Sequence, residues 1–110
     1  MQMERISDQG IETLVLQGEI DLHASPALRK ELQACSAAKV PRLLVDFSGV
    51  DYIDSSGLAT FIEYVRSAAA HGGKLAFFGL QPKVRSIFDL VRLNELFTIE
   101  ETREAALAAL

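Results

Sequence analysis

At 110 residues, 49% of them hydrophobic and 24% charged, the chain suits one domain with its own core and excludes both a two-domain layout and a disordered segment. The formal net charge is −4 and the 11 Lys and Arg are scattered, which excludes the basic stripe of a nucleic-acid binder. No apolar run approaches the ~20 residues of a membrane span, and residues 1–10 (MQMERISDQG) lack the apolar centre of a secretion signal, so a cytoplasmic protein without membrane contact is expected.

Residues 2–6 suit an edge strand, and Asp8-Gln9-Gly10 is a turn signal leading into a second strand over 11–16, together a hairpin. Gln17-Gly18-Glu19-Ile20-Asp21 then breaks the apolar pattern and reads as a loop after that strand. Ser25 before Pro26 is an N-cap followed by proline at the first helical position. This helix should run to about residue 38, bury Leu28, Leu32 and Cys35, and stop at Lys39-Val40-Pro41. Cys35, the one cysteine, has no internal disulfide partner and reads as a small core residue.

Residues 42–47 (RLLVDF) form a short strand buried on both faces, and 48–53 lead from it to Asp54-Ser55-Ser56-Gly57-Leu58. A long helix follows, with Leu58, Phe61, Ile62, Val65 and Ala69 on one stripe and His71-Gly72-Gly73 at its end. Residues 74–78 are the next strand. After Pro82 a third helix aligns Val84, Ile87, Phe88 and Val91, a brief strand follows at 97–99, and a last helix starts near Thr102. The order ββαβαβαβα predicts an α/β fold, a single domain over 1–110, with a mixed, mostly parallel sheet of about five strands and four helices.

The junction at residues 54–58 is the point where chemistry concentrates. Asp54 or Ser55 is placed to cap the first turn, and Gly57 lets another chain come close to the backbone. A cap needs one side-chain oxygen, and this junction has three. Ser56, Thr60, Glu63 and Ser67 make the helix stripe opposite the apolar one, either a solvated face or a flat docking surface. In sheets of this kind sites gather beyond the carboxyl ends of the strands, so the loop with Glu19 and Asp21 and the loop with Ser55 can share one surface.

A hydrolase is disfavoured. Ser55 lacks the nucleophile-elbow glycines, His71 belongs at the far end of the helix that Ser55 begins, roughly 25 Å away at ~1.5 Å per residue, and a lone loop histidine such as His23 more often binds locally. No Cys/His pair has ligand spacing for a metal, and Gly72-Gly73 follows a helix instead of opening one, so neither a metal nor a nucleotide cofactor is expected. A phosphate on Ser55 fits better: it adds about −1.5 to −2 charge at a helix N-terminus, which favours anions by roughly 0.3–1 kcal/mol.

Ile53-Asp54-Ser55-Ser56-Gly57-Leu58, with Gly18-Glu19-Ile20-Asp21 upstream and this order of elements, resembles the STAS-domain anti-sigma factor antagonists of bacteria over nearly the whole chain. The resemblance implies a non-enzymatic partner switch in transcription regulation. The unphosphorylated antagonist binds an anti-sigma factor that is also a serine kinase of the histidine-kinase-like ATPase type; phosphorylation of Ser55 releases it, and a PP2C-type phosphatase resets it. Carried over residue by residue, Ser55 is the phosphoacceptor, Asp21 contacts a basic residue of the kinase, Asp54 orients the loop, and Ser56, Gly57, Thr60 and Glu63 belong to the contact face. Ile20 departs mildly from a common leucine. The main rival is a STAS scaffold or accessory subunit, as in lipid-transport or stressosome-like complexes; a nucleotide-binding module is a weaker one.

Overall fold

In the computed structural model, which describes residues 1–110, the strands β1 (Gln2–Asp8), β2 (Ile11–Ile20), β3 (Arg42–Ile53), β4 (Lys74–Phe78) and β5 (Thr98–Glu100) lie side by side in their sequence order. β1 runs antiparallel to β2, and the other neighbours are parallel. The hairpin closes on two residues, Gln9 (φ 51°) and Gly10 (φ 79°), both left-handed, the turn whose twist matches that of the strands it joins.

The helices are α1 (Ser25–Ala37), α2 (Ser55–Ala69), α3 (Pro82–Leu90) and α4 (Arg103–Ala108), with one 3-10 turn at Leu93–Glu95. Right-handed crossovers that always step the same way along a sheet put their helices on one face. The main core accordingly joins Leu14, Leu16, Val45 and Phe77 of the sheet to Leu28, Leu32 and Cys35 of α1, Phe61 and Tyr64 of α2, and Val84 and Phe88 of α3. Phe77 is its hub, with ring centroids 4.9 Å from Phe47, 4.9 Å from Phe61 and 4.8 Å from Phe97. The other face carries only α4, through Ala106 against Leu44, Ala76 and Phe78. The α/β class, element order and mixed sheet agree with the sequence reading. Because the strand order never reverses, the sheet has no switch-point crevice of the kind that holds nucleotides.

Three local expectations are corrected. First, the two strands expected to end near Leu16 and Phe47 continue to Ile20 and Ile53, pairing with each other all the way. Register shifts at Val15/Gln17 and Gly18/Glu19, with Gly18 at φ 91°, break the alternation that would have revealed a strand. β4 stops opposite Asp46, so the last part of β2 and β3 is a two-stranded arm projecting past the sheet.

Second, α2 is rotated: its buried residues are Gly57, Leu58, Thr60, Phe61, Tyr64 and Ala68, while Ile62 and Val65 are half-buried and Ala69 is exposed. Third, the stripe Ser56, Thr60, Glu63, Ser67, expected as a solvated face or a flat docking surface, is not flat: Ser56 and Thr60 are covered, while Glu63 and Ser67 stay exposed. It faces α1, where Ser25 Oγ lies 2.6 Å from Ser56 Oγ, Arg29 Nε donates to Glu63 Oε2 at 2.9 Å, and the Ser36 and Ser67 hydroxyls meet. Two helices running side by side on a sheet each turn a flank to the other, and here the flanks are polar.

Tyr64 is 2% exposed, and its hydroxyl has no hydrogen-bond partner. Burial pushes its pKa up to about 12, so it stays a neutral phenol. Tyr64→Phe keeps the ring and removes the orphan hydroxyl. Urea unfolding should give a stability equal to the parent or higher by up to about 1 kcal/mol, whereas a loss of more than about 1 kcal/mol would show that the hydroxyl is partnered after all.

Candidate functional site

The site sits at the tip of the arm. Ile20 pairs with Ile53, and the Asp54 N–H donates to the Ile20 carbonyl at 3.1 Å, so two carboxylates distant in sequence, Asp21 and Asp54, leave the arm next to each other. Each then organises the turn that follows it. Asp21 Oδ1 accepts from the His23 N–H (3.0 Å) and the Ala24 N–H (3.1 Å) and so starts α1. Ser25, expected as the N-cap, is instead the first residue of α1, with its Oγ 2.8 Å from the Asp21 carbonyl.

Asp54 is the N-cap of α2, its Oδ1 accepting from the Ser56 N–H (2.9 Å), the Gly57 N–H (3.2 Å) and the Ser56 hydroxyl (2.5 Å). These donors, the Ser56 hydroxyl foremost, hold the Asp54 pKa below the ordinary carboxylate range, against the opposing effect of burial; the Leu22 N–H, across the gap in the β2–α1 loop, adds to them.

Gly57 has a steric duty. A Cβ there would lie 2.7 Å from Ile20 Cγ2, 2.9 Å from Ile53 Cγ1 and 3.1 Å from the Ile20 carbonyl. The close approach that glycine permits is therefore to the ends of this chain's own strands. It seats α2 directly on the arm.

The surplus of side-chain oxygens resolves into a division of labour. Asp54 caps. Ser56 is half-buried, bonded to Asp54 and in contact with Ser25. Ser55, beside them, is exposed, and its hydroxyl makes no hydrogen bond within the chain. Thr60 is 1% exposed and gives its hydroxyl to the Ser56 carbonyl at 2.8 Å, while Glu63 is exposed and paired with Arg29. Of the residues expected at a site, Asp21, Asp54, Ser55 and Ser56 thus come together at the surface. Gly57 lies beneath them, and Thr60 and Glu63 run away along the α1 seam.

Two neighbours were missed. Leu22 is 71% exposed, an apolar side chain in solvent beside Asp21; its place between Asp21 and His23, outside any helical or strand period, was a usable signal. Ser25 gave none, since Ser-Pro reads as a cap whether or not the serine caps. The surroundings are acidic: Glu19 and Asp51 are exposed on the arm, and residues 15–28 and 43–65 contain no Lys or Arg. Neither the His23 ring nor the Ser55 hydroxyl makes a hydrogen bond, so the two are not joined as base and nucleophile.

The STAS domain model matches residues 2–106. The anti-sigma-B factor antagonist of Bacillus subtilis (strain 168) is 30% identical over 87 residues, covering 79% of this chain and 79% of that protein. The crystal structure of an anti-sigma factor antagonist from Mycobacterium paratuberculosis superposes with a TM-score of 0.89 at 26% identity, covering 98% of this chain and 92% of that one. The Bacillus cell fate determinant SpoIIAA in its phosphorylated form shares the fold, with a TM-score of 0.72 at 22% identity over 98% of this chain and 96% of that one.

Two substitutions check the geometry. Gly57→Ala forces a methyl into the tips of β2 and β3 and should cost about 1–3 kcal/mol in urea unfolding; a neutral result would mean that α2 does not rest on the arm. The lowered Asp54 pKa means that its stabilising effect is complete above its unfolded value near pH 4 and is lost as pH falls through the lower folded value. Asp54→Asn, which can still cap, should therefore flatten part of the acid loss of thermal stability below about pH 4; an unchanged acid limb would remove Asp54 from that role.

Proposed function

The chain belongs to the STAS domain family, and from that membership we propose that it is an anti-sigma factor antagonist: it binds an anti-sigma factor while Ser55 is unmodified and lets go once Ser55 carries a phosphate. One observation carries this reading. Of the oxygens at the mouth of α2, only the Ser55 hydroxyl is both exposed and unengaged, so it alone is available for esterification without dismantling the cap.

The partner on this reading is itself a serine kinase that uses ATP. Ser55 Oγ attacks the γ-phosphorus, ADP leaves, and the hydroxyl proton passes to a base on the kinase. A PP2C-type phosphatase hydrolyses the ester with water, returning the hydroxyl and inorganic phosphate. This chain is the substrate in both steps and the catalyst of neither. Asp21 offers a charge to a basic residue of the kinase, and Asp54 with Ser56 holds the acceptor's backbone.

Release follows from electrostatics and bulk. The phosphate adds about −1.5 to −2 charge to a surface already lined by Asp21, Asp54, Glu19 and Asp51. A partner shaped around a neutral hydroxyl must then bury a dianion it has no donors for, and about 3 kcal/mol of lost complementarity is over a hundredfold in affinity. The fold tolerates the same group, because it sits in solvent at a helix N-terminus.

The test is incubation with ATP and the cognate kinase, followed by mass spectrometry. Wild type should gain one phosphate, Ser55→Ala none, and Ser56→Ala one. Ser55→Asp should weaken partner binding at least tenfold by calorimetry. A phosphate retained in Ser55→Ala would move the acceptor elsewhere, and binding indifferent to Ser55→Asp would favour a scaffold.

A further inference from the structure

We propose that Ser25 is a positioning residue for the switch: with Ser56 it latches the Asp21–Leu22 loop to the mouth of α2, so that a partner meets both as one rigid epitope. The inference rests on Ser55 as the acceptor and deepens that reading.

Ser25 is 2% exposed, unusual burial for a serine at the start of a helix. Its Oγ lies 2.8 Å from the Asp21 carbonyl and 2.6 Å from Ser56 Oγ, which in turn lies 2.5 Å from Asp54 Oδ1. These are three close oxygen contacts served by only two hydroxyl protons. The Asp21 carbonyl already accepts from the Ala24 N–H (3.1 Å) and the Ser25 N–H (2.9 Å), so it is satisfied without the hydroxyl. Asp54 carries the charge and draws the Ser56 proton most strongly. The two protons are therefore assigned in sequence, Ser25 donating to Ser56 and Ser56 to Asp54, and the contact of Ser25 Oγ with the already satisfied Asp21 carbonyl is the one of the three left without a proton. Ser56 is then donor and acceptor at once, and the two bonds polarise one another in a partly buried setting.

This chain crosses from α1 to α2. The other side-chain links between these helices are Arg29 with Glu63, an exposed ion pair of small worth, and Ser36 with Ser67, close to their far ends. At the site end, Ser25–Ser56 is the one side-chain bridge between the helices. A kinase that reads Asp21 and Leu22 on one loop and the acceptor on another gains from receiving them already fixed, since ordering a loop at the moment of binding weakens association. Loss of the latch should act on recognition far more than on phosphoryl transfer.

The experiment is amide hydrogen exchange on the free protein, with kinase kinetics in parallel. Ser25→Ala should speed exchange in residues 21–25 and 54–57 together, Ser56→Ala should do the same, and the double variant should be no worse than the worse single. With the cognate kinase and ATP, Ser25→Ala should raise KM about tenfold and leave kcat within about twofold. Ser25→Thr and Ser25→Val, alike in shape but differing in the hydroxyl, separate latch from packing: Thr should keep the joint protection and Val lose it. Faster exchange confined to the start of α1, single effects that multiply in the double variant, Val and Thr behaving alike, or an unmoved KM would each overturn the proposal. Wild type failing to take a phosphate at Ser55 would sink the acceptor reading instead and leave the exchange result standing.

Discussion

The pairing of β2 with β3 beyond the edge of the sheet is the constraint on which the site depends. Parallel strands joined by a crossover helix usually end where their neighbours end, but here β4 stops opposite Asp46 while β2 and β3 stay paired, through two register shifts, to Ile20 and Ile53. Two loops that no local sequence rule connects are thereby delivered to one point. Everything at the tip follows: the adjacent carboxylates, the Asp54 N–H on the Ile20 carbonyl, and the glycine that lets α2 begin on top of both strands.

Above that platform, chemistry is partitioned by hydrogen-bond supply. Asp54 takes the free N–H groups of the first turn, Ser56 is held between Asp54 and Ser25, and Ser55 is left over. On the proposed reading, in which one of the first residues of α2 gains and loses a dianion, the cap and the modified residue need to be different side chains. Asp54 and Ser55 are the two side chains that reading requires, and the half-buried Ser56 hydroxyl bonds the cap's carboxylate independently of Ser55. On the proposed reading the acidic arm and the exposed Leu22 would give a partner a charged rim and an apolar contact, and the unreversed strand order leaves the sheet without a switch-point crevice.

Much of this was legible in the residues. Alternation of apolar strands with amphipathic helices fixes an α/β fold with one antiparallel edge, and two separated acidic motifs at strand ends point to a shared surface. What stayed hidden has a physical cause in each case. Gly18 and the bulges around it disguise the arm as a loop, because irregular pairing erases the period of two. The polar stripe of α2 cannot announce whether it meets water or another polar helix flank, since both environments accept Ser, Thr and Glu. Ser25 looks like a cap but is the first helical residue, because Asp21 already shapes the turn before it and Ala24 takes the cap position. Which serine is free could be settled only by tracing the bonds of all three oxygens.

The central claim is that the Ser55 oxygen can carry a phosphate while the domain stays as it is. Its most direct measurement is a pair of ¹H–¹⁵N spectra of the protein before and after stoichiometric phosphorylation at Ser55. The account predicts shifts confined to residues around 21–24 and 54–58, with the amides of Val45, Phe47 and Phe77 unmoved. Shifts spread through the sheet, or loss of dispersed signals, would show that this oxygen is part of the structure and contradict the account.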